Sequence, residues 1–299
     1  MINAGVDIGG TNIKVALVDT AGELPVVIES IGFPFAGMDP RALCERIGSG
    51  IRELAERLGP DTHAPQRIGV TVPGSLSSDG RTIVHAYNLG YHDVPFADML
   101  SEQFPDTPVN LMNDAKAAAL AELKAGSLKG CRTALMLTLG TGLGGGLILG
   151  GEVFNGGLGR GSEPGHVPFA KGGILCGCGQ RGCAERYTSA TRLAELGRER
   201  LGEDYADAKA VKDAAEAGNA AAQEILDEYI DDLATLVAGF CNLLDPERVS
   251  IGGGFSASGD ILFVPLRRLV AEKTFGHVYY EIVPARFLNN AGVIGAAYL

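Results

Sequence analysis

One pattern that occurs twice limits the possible folds of this chain most. Residues 4–19, AGVDIGGTNIKVALVD, read as strand, glycine turn, strand. Val6 and Ile8 alternate before the turn, and Ile13, Val15 and Leu17 alternate after it. Residues 133–149, TALMLTLGTGLGGGLIL, repeat the theme: an apolar strand enters a Gly/Thr turn and another leaves it. The two segments start about 129 residues apart in a chain of 299. That spacing predicts a duplicated α/β domain, two related halves facing a cleft.

The rest of the chain fits around this frame. Helical spacing covers 40–58, with Leu43, Ile47, Ile51, Leu54 and Leu58 on one face. RIGVTVPG (67–74) is a strand stopped by Pro73-Gly74, and NLMND (110–114) is a short apolar strand end. It leads into AKAAALAELKAG, an Ala-rich helix ending near Gly126. Residues 151–187 are irregular, polar and glycine-rich, and helical patterns fill 188–244. VSIGGGFSASGD (249–260) is a strand running into a third glycine turn with a helix after it, and 291–299 reads as a closing helix.

Glycine accounts for 43 residues, about twice the usual share, and it concentrates at turns. A phosphate needs close backbone N–H groups, and glycine allows that approach without a Cβ clash. Three turns offer this: Gly9-Gly10-Thr11-Asn12, Gly140-Thr141-Gly142 and Gly252-Gly253-Gly254. A tight hairpin without a ligand explains any one of them; three together, two carrying Thr, favour a phosphate-bearing ligand. Gly140, Gly142 and Gly145 satisfy G-x-G-x-x-G, but that fingerprint requires a helix next, and GLIL reads as strand. No Gly-Lys pair occurs, so there is no Walker A motif.

Two aspartates stand beside these features. Asp7 lies inside an apolar strand, two residues before the first glycine pair, where burial without a partner is costly. It either faces the cleft and holds Mg²⁺ through water or caps its own turn. Asp114 ends a strand and opens a helix, where Asp serves well as an N-cap. The same helix N-terminus keeps a carboxylate ionised, and a strand end in an α/β fold borders the ligand crevice. An ionised Asp114 could accept a hydroxyl proton during phosphoryl transfer, with Asn113 beside it bonding a polar substrate.

Three of the six cysteines, Cys176, Cys178 and Cys183, lie within eight residues, and with His166 they give H-x9-C-x-C-x4-C. Three thiolates and one imidazole make a closed tetrahedral Zn²⁺ site, structural rather than catalytic. The alternative is three free thiols and an unrelated histidine. Glu163 and Glu185 flank the ligands; held by such a knuckle they suit sugar hydroxyls, and otherwise they are solvated surface. A net charge of −11 argues against a nucleic-acid footprint or a polybasic membrane patch. No apolar run reaches the roughly 18 residues of a membrane span, and MINAGVDIGG is not a signal peptide. The expected location is the cytoplasm, which agrees with unpaired cysteines.

DIGGTNIKVALVD, NDAKAAALAE, LTLGTGLGGG, EPGH, CGCGQRGCAE and IGGGFSASGD occur in this order across almost the whole chain. Together they resemble the ROK family of bacterial sugar kinases and repressors. The resemblance implies an actin-like, ribonuclease H-like ATPase fold of two α/β lobes with a zinc-binding loop. The N-terminal lobe would be 1–116, closed by a C-terminal helix at 288–299. The C-terminal lobe would be 117–287, with the zinc segment at 163–185. By motif position Asp7, Gly9, Gly10, Thr11, Asn12 and Lys14 resemble the first phosphate segment. Gly140, Thr141 and Gly142 resemble the second, and Gly253 and Gly254 the adenosine segment. Asp114 matches the catalytic base. Asn113, Glu163, His166 and Glu185, with Gly74 and Asn88, match sugar contacts, and His166 with Cys176, Cys178 and Cys183 matches the zinc ligands.

Three positions depart from the family pattern: Pro164 replaces a hydrophobic residue, Tyr91 a tryptophan and Asn290 an acidic residue. The first two lie near the expected sugar pocket. Repressors of the family carry an N-terminal helix-turn-helix, and a first phosphate segment at residue 7 leaves no room for one. The implied activity is ATP- and Mg²⁺-dependent phosphorylation of a hexose at its C6 hydroxyl, with glucose first. Fructose, mannose, allose or an N-acetylhexosamine are alternative substrates, and polyphosphate is an alternative donor. A sugar sensor without phosphoryl transfer is the rival of a different class, and a dinucleotide oxidoreductase the weakest one. A homo-oligomer, dimer or tetramer, is also expected.

Overall fold

The computed structural model describes residues 1–59, 64–157 and 161–299, and the chain divides into two compact units. The first contains Met1–Lys129, Val153–Gly161 and Asn289–Leu299. Its elements are β1 (Ile2–Ile8), β2 (Asn12–Asp19), β3 (Val26–Pro34), α1 (Pro40–Arg57), β4 (Ile68–Val72), β5 (Ser75–Leu76), β6 (Ile83–Ala86), β7 (Tyr91–Val94), α2 (Phe96–Ser101), β8 (Val109–Asn113) and α3 (Asp114–Ala125). The main sheet has the order β3-β2-β1-β4-β8. β1 and β2 form the antiparallel hairpin, and β1, β4 and β8 run parallel. Every residue of β4 is buried, as a central parallel strand requires. α1 starts where Asp39 accepts from the Arg41 and Ala42 N–H groups, with Pro40 at the first helical position. It buries Leu43, Ile47, Ile51 and Leu54, the face read from the spacing. β5, β6 and β7 make a separate small sheet.

The second unit contains Gly130–Glu152 and Ser162–Leu288. Its elements are β9 (Thr133–Leu139), β10 (Leu143–Leu149), β11 (Glu152–Val153, whose second residue is the first of the Val153–Gly161 segment), α4 (Glu185–Thr188), α5 (Ala190–Leu201), α6 (Ala208–Glu216), α7 (Ala220–Leu244), β12 (Arg248–Gly252), α8 (Asp260–Lys273) and β13 (Ile282–Pro284). The sheet order β11-β10-β9-β12-β13 repeats that of the first unit. β9 and β10 are an antiparallel hairpin, and β9, β12 and β13 are parallel. β10 is the strand that follows G-x-G-x-x-G, so the fingerprint lacks its helix. The core is built on α7, whose fully buried Tyr229 donates its hydroxyl to the Thr188 carbonyl at 2.9 Å. Among the described residues no helix is long and apolar enough to cross a membrane.

The last helix, α9 (Ala291–Ala297), belongs to the first unit. It approaches so closely that a Cβ on Gly5 or Gly69 would strike the Val293 or Ala296 carbonyl, and one on Gly295 the Ala117 carbonyl. Asn3 Nδ2 donates to the Ala297 carbonyl at 2.8 Å. At Ala117 α3 packs on α9, within the compact unit that runs from Met1 to Lys129.

Candidate active site

In the first unit the parallel strands end in a cluster of polar groups. Asp7, Thr71 and Met112 share one row of β1, β4 and β8, and Val72 pairs with Asn113 one step on. This is the carboxyl edge, where open α/β sheets bind ligands. Thr71 Oγ1 donates to Asp7 Oδ1 at 2.5 Å. Burial pushes the Asp7 carboxyl above the usual carboxylate range, against the Thr71 hydrogen bond and the nearby Lys14 ammonium, which pull it down. Lys14 Nζ donates to Asn290 Oδ1 at 2.6 Å.

Asp7, Gly9, Asn12 and Lys14 line an open pocket of about 460 Å³, whose far wall is the end of β3 from Ser30 to Pro34. The first glycine turn closes with the Gly9 N–H donating to the Asn12 carbonyl at 2.9 Å. A Cβ on Gly10 would lie 3.4 Å from the Asn88 Cβ, which places Asn88 on the turn formed by Gly10 and Thr11. Asn88 is exposed on a single 3₁₀ turn, Tyr87–Leu89, between β6 and β7. Gly74 lies against β6, where a Cβ would strike the His85 carbonyl.

Asp114 occupies the first position of α3, and the cap is Asn113. Asn113 Oδ1 accepts from the Ala115 and Lys116 N–H groups at 3.1 and 3.2 Å, and its Nδ2 donates to the Gly74 carbonyl at 3.3 Å. The capping considered for Asp114 therefore falls to its neighbour. Asp114 Oδ1 accepts from the Ala115 N–H at 2.8 Å, a half-buried carboxylate facing the positive end of a helix dipole. Asp7, Gly9 to Lys14, Gly74, Asn88, Asn113 and Asp114 thus all sit in the first unit.

The remaining candidates sit in the second unit. The turn Gly140–Gly142 joins β9 to β10, and Thr191 Oγ1 donates to the Thr141 carbonyl at 2.7 Å. Glu185, first residue of α4, accepts from the Leu143 N–H at 3.1 Å through Oε2. The carboxylate stands where a Cβ on Gly142 would be. Its Oε1 lies 3.5 Å from Cys176 Sγ. Glu185 is therefore held between the turn and the cysteine cluster rather than solvated. Gly253, at φ 83°, presses against the end of β9 at Leu139, so the third turn abuts the strand that enters the second. Glu163 is exposed and precedes the 3₁₀ turn Pro164–His166, and its carbonyl accepts from the His166 N–H at 3.1 Å. Buried Pro164 packs over β10, 2.7 Å from where a Gly145 Cβ would be.

His166, Cys176, Cys178 and Cys183 bring one ligand atom each to within 4.8 Å of all the others. Cys178 Sγ is 3.6 Å from Cys183 Sγ, and Cys176 Sγ is 3.9 Å from His166 Nδ1. Zinc bonds of about 2.3 Å to sulfur and 2.0–2.1 Å to nitrogen give tetrahedron edges of roughly 3.5–3.8 Å, which the two closest pairs match within about 0.1 Å, so the donor set suits the ion. The chain turns through left-handed Gly179 and Gly182 to make the knuckle. Burial and the neighbouring Cys178 and Cys176 thiols push Cys183 up to about 12, a crowding that a bound cation relieves by replacing protons.

Sequence reasoning missed three supports: Thr71 on Asp7, Thr191 on the second turn, and Tyr187, whose hydroxyl accepts from the Ile174 N–H at 2.9 Å and braces the knuckle. Thr71 carried the one available signal, a hydroxyl inside the otherwise apolar IGVTV. Tyr91 is buried, edge-on to Phe35 at 5.9 Å, with its hydroxyl donating to the Met38 carbonyl at 2.6 Å.

A family model described as ROK family matches residues 3–299. The chain is 35% identical to a glucokinase of Halalkalibacterium halodurans, over 99% of this chain and 93% of that protein. It is 31% identical to an N-acetylmannosamine kinase of Escherichia coli O139:H28, over 100% of this chain and 98% of that protein. The crystal structure of a ROK family glucokinase from Streptomyces griseus in complex with glucose and AMPPNP superposes with a TM-score of 0.85 at 27% identity, covering 100% of this chain and 98% of that one. The α/β architecture is thus of the actin-like ATPase class.

Proposed function

The chain belongs to the ROK family, and we propose that within it the chain is an ATP-dependent hexokinase that phosphorylates glucose at the C6 hydroxyl. Full-length similarity to glucokinases supports the substrate. The observation that carries the chemistry is Asp114 at the head of α3, on the carboxyl edge of the first sheet, with Asn113 taking over the cap. A carboxylate so placed stays ionised and can take the C6 proton as the hydroxyl attacks the γ-phosphoryl group. Asn113 keeps one N–H for a sugar hydroxyl, and Gly74 and Asn88 bound the same side.

Asp7, with Gly9, Gly10, Thr11, Asn12 and Lys14, is assigned to the phosphates. A half-buried carboxylate at the wall of an open pocket suits Mg²⁺ held through water, which when bound neutralises charge on the transferring oxygens. In the second unit Gly140, Thr141 and Gly142 are assigned to phosphate oxygens through backbone N–H groups, and Gly253 and Gly254 to adenosine. Glu163, His166 and Glu185 are assigned to sugar hydroxyls. His166 would hold zinc through Nδ1 and leave Nε2 for the sugar. Cys176, Cys178 and Cys183 would complete a closed, structural zinc shell that positions Glu185. The repeated sheet order supports reading the two units as duplicated lobes. A cytoplasmic homo-oligomer, dimer or tetramer, completes the proposal.

The deciding experiment is a coupled ADP-release assay over a hexose panel, run also with polyphosphate as donor. Glucose with ATP should give the highest kcat/KM. The similarity to an N-acetylmannosamine kinase makes that amino sugar the second reading, and preference for it would replace glucose. Sugar binding without turnover would overturn the kinase assignment.

A further inference from the structure

The small sheet of the first unit carries a pair of histidines that the proposed chemistry does not use. His85 on β6 and His92 on β7 stand directly opposite each other in antiparallel register. Their ring centroids are 4.5 Å apart, with the planes at 72°. His92 Nδ1 lies 2.7 Å from Asp93 Oδ2, which fixes the ring and leaves Nε2 for another ligand. Asp93 makes this contact from φ 49°, a left-handed conformation that non-glycine residues seldom adopt. Tyr87 packs on His85 with centroids 4.2 Å apart, restricting that ring too.

We propose that His85 and His92 chelate a divalent transition-metal ion of the Cu²⁺ or Ni²⁺ class, at a site separate from the cysteine cluster. With metal–nitrogen bonds of about 2.0–2.1 Å, each ring centroid lies about 3.2 Å from the ion. A right angle at the metal then puts the centroids about 4.5 Å apart, whereas a tetrahedral angle needs about 5.2 Å. The observed separation suits two cis positions in a square-planar or tetragonal complex, with water in the others, once rotation about Cβ–Cγ turns one nitrogen of each ring to the ion. Asp93 is the carboxylate that orients the ligating imidazole. The bound ion staples β6 to β7 and so fixes the turn Tyr87–Leu89 that joins them. The site stands independently of the kinase assignment.

The test is isothermal titration of NiCl₂ into tag-free protein already supplied with zinc. One further equivalent is expected, weakened at least about tenfold in His85→Ala and in His92→Gln and about tenfold in Asp93→Asn, and unchanged in His277→Ala. Saturating Ni²⁺ should raise the melting temperature of the parent protein but not of His92→Gln. His92 is 62% exposed, so that variant keeps its fold, and the metal-free melting temperature checks it. No second equivalent, or equal binding in His92→Gln, would overturn the site and leave the two rings as an edge-to-face contact.

Discussion

At the residue scale, the Asn113-Asp114 pair separates two tasks that one side chain could have taken. Asn113 satisfies the first N–H groups of α3, and Asp114 is left in the dipole of the same helix. If Asp114 is the base, Asp114→Asn keeps the fold and lowers kcat by roughly 10²–10⁴; turnover within a few-fold of the parent would remove the assignment. Asp7 sets function against stability. Its native pKa is raised by burial, so the folded state binds more protons than the unfolded one between the ordinary carboxylate value and the raised value. Stability is therefore lost as pH rises through that window. Asp7→Asn should abolish turnover yet raise the melting temperature at pH 7. No gain at pH 7 relative to pH 3 would show that the carboxylate is better solvated than its surroundings imply. Both aspartates were legible in the sequence, because each interrupts a strongly apolar or Ala-rich run. Which of Asn113 and Asp114 caps was not, because both types cap well and only the backbone conformation chooses.

At the element scale, the hairpins and the knuckle were legible because period-2 alternation and glycine spacing are local signals. The knuckle is braced by Tyr187 and Glu185. Untagged protein should contain about one zinc per chain by elemental mass spectrometry, and Cys178→Ala or a strong chelator should remove it with a loss of activity of more than about tenfold. A zinc-free, fully active protein would refute the structural role. The allegiance of α3 was not legible. Nearly every side from Lys116 to Ala125 is buried, including Lys116 and Glu122, so no apolar stripe tells which unit the helix packs on. β5, β6 and β7 escaped notice for another reason: two to four residues each are too short to show alternation.

At the scale of the whole molecule, α9 matters most. Val293 and Ile294 are buried, each contributing about 1.5–3 kcal/mol, and the helix backbone covers Gly5 and Gly69 on two central strands. A domain stable by about 5–15 kcal/mol cannot lose this layer. A chain ending at Leu288 should leave residues 1–129 open to limited proteolysis while the second unit keeps its protected fragment. Protection of both would show that α9 is dispensable. The sequence suggested a closing helix, but the partner strands follow only from glycines whose missing side chains admit it.

That arrangement also bears on how the protein is made. Asn289 emerges about 160 residues after Lys129, roughly 10–30 s later at ordinary translation speed. During that interval the nascent first unit carries an uncovered groove over Gly5 and Gly69, while the second unit is still being threaded out. Of the two units, the one whose strands are synthesised first is thus the last to be sealed.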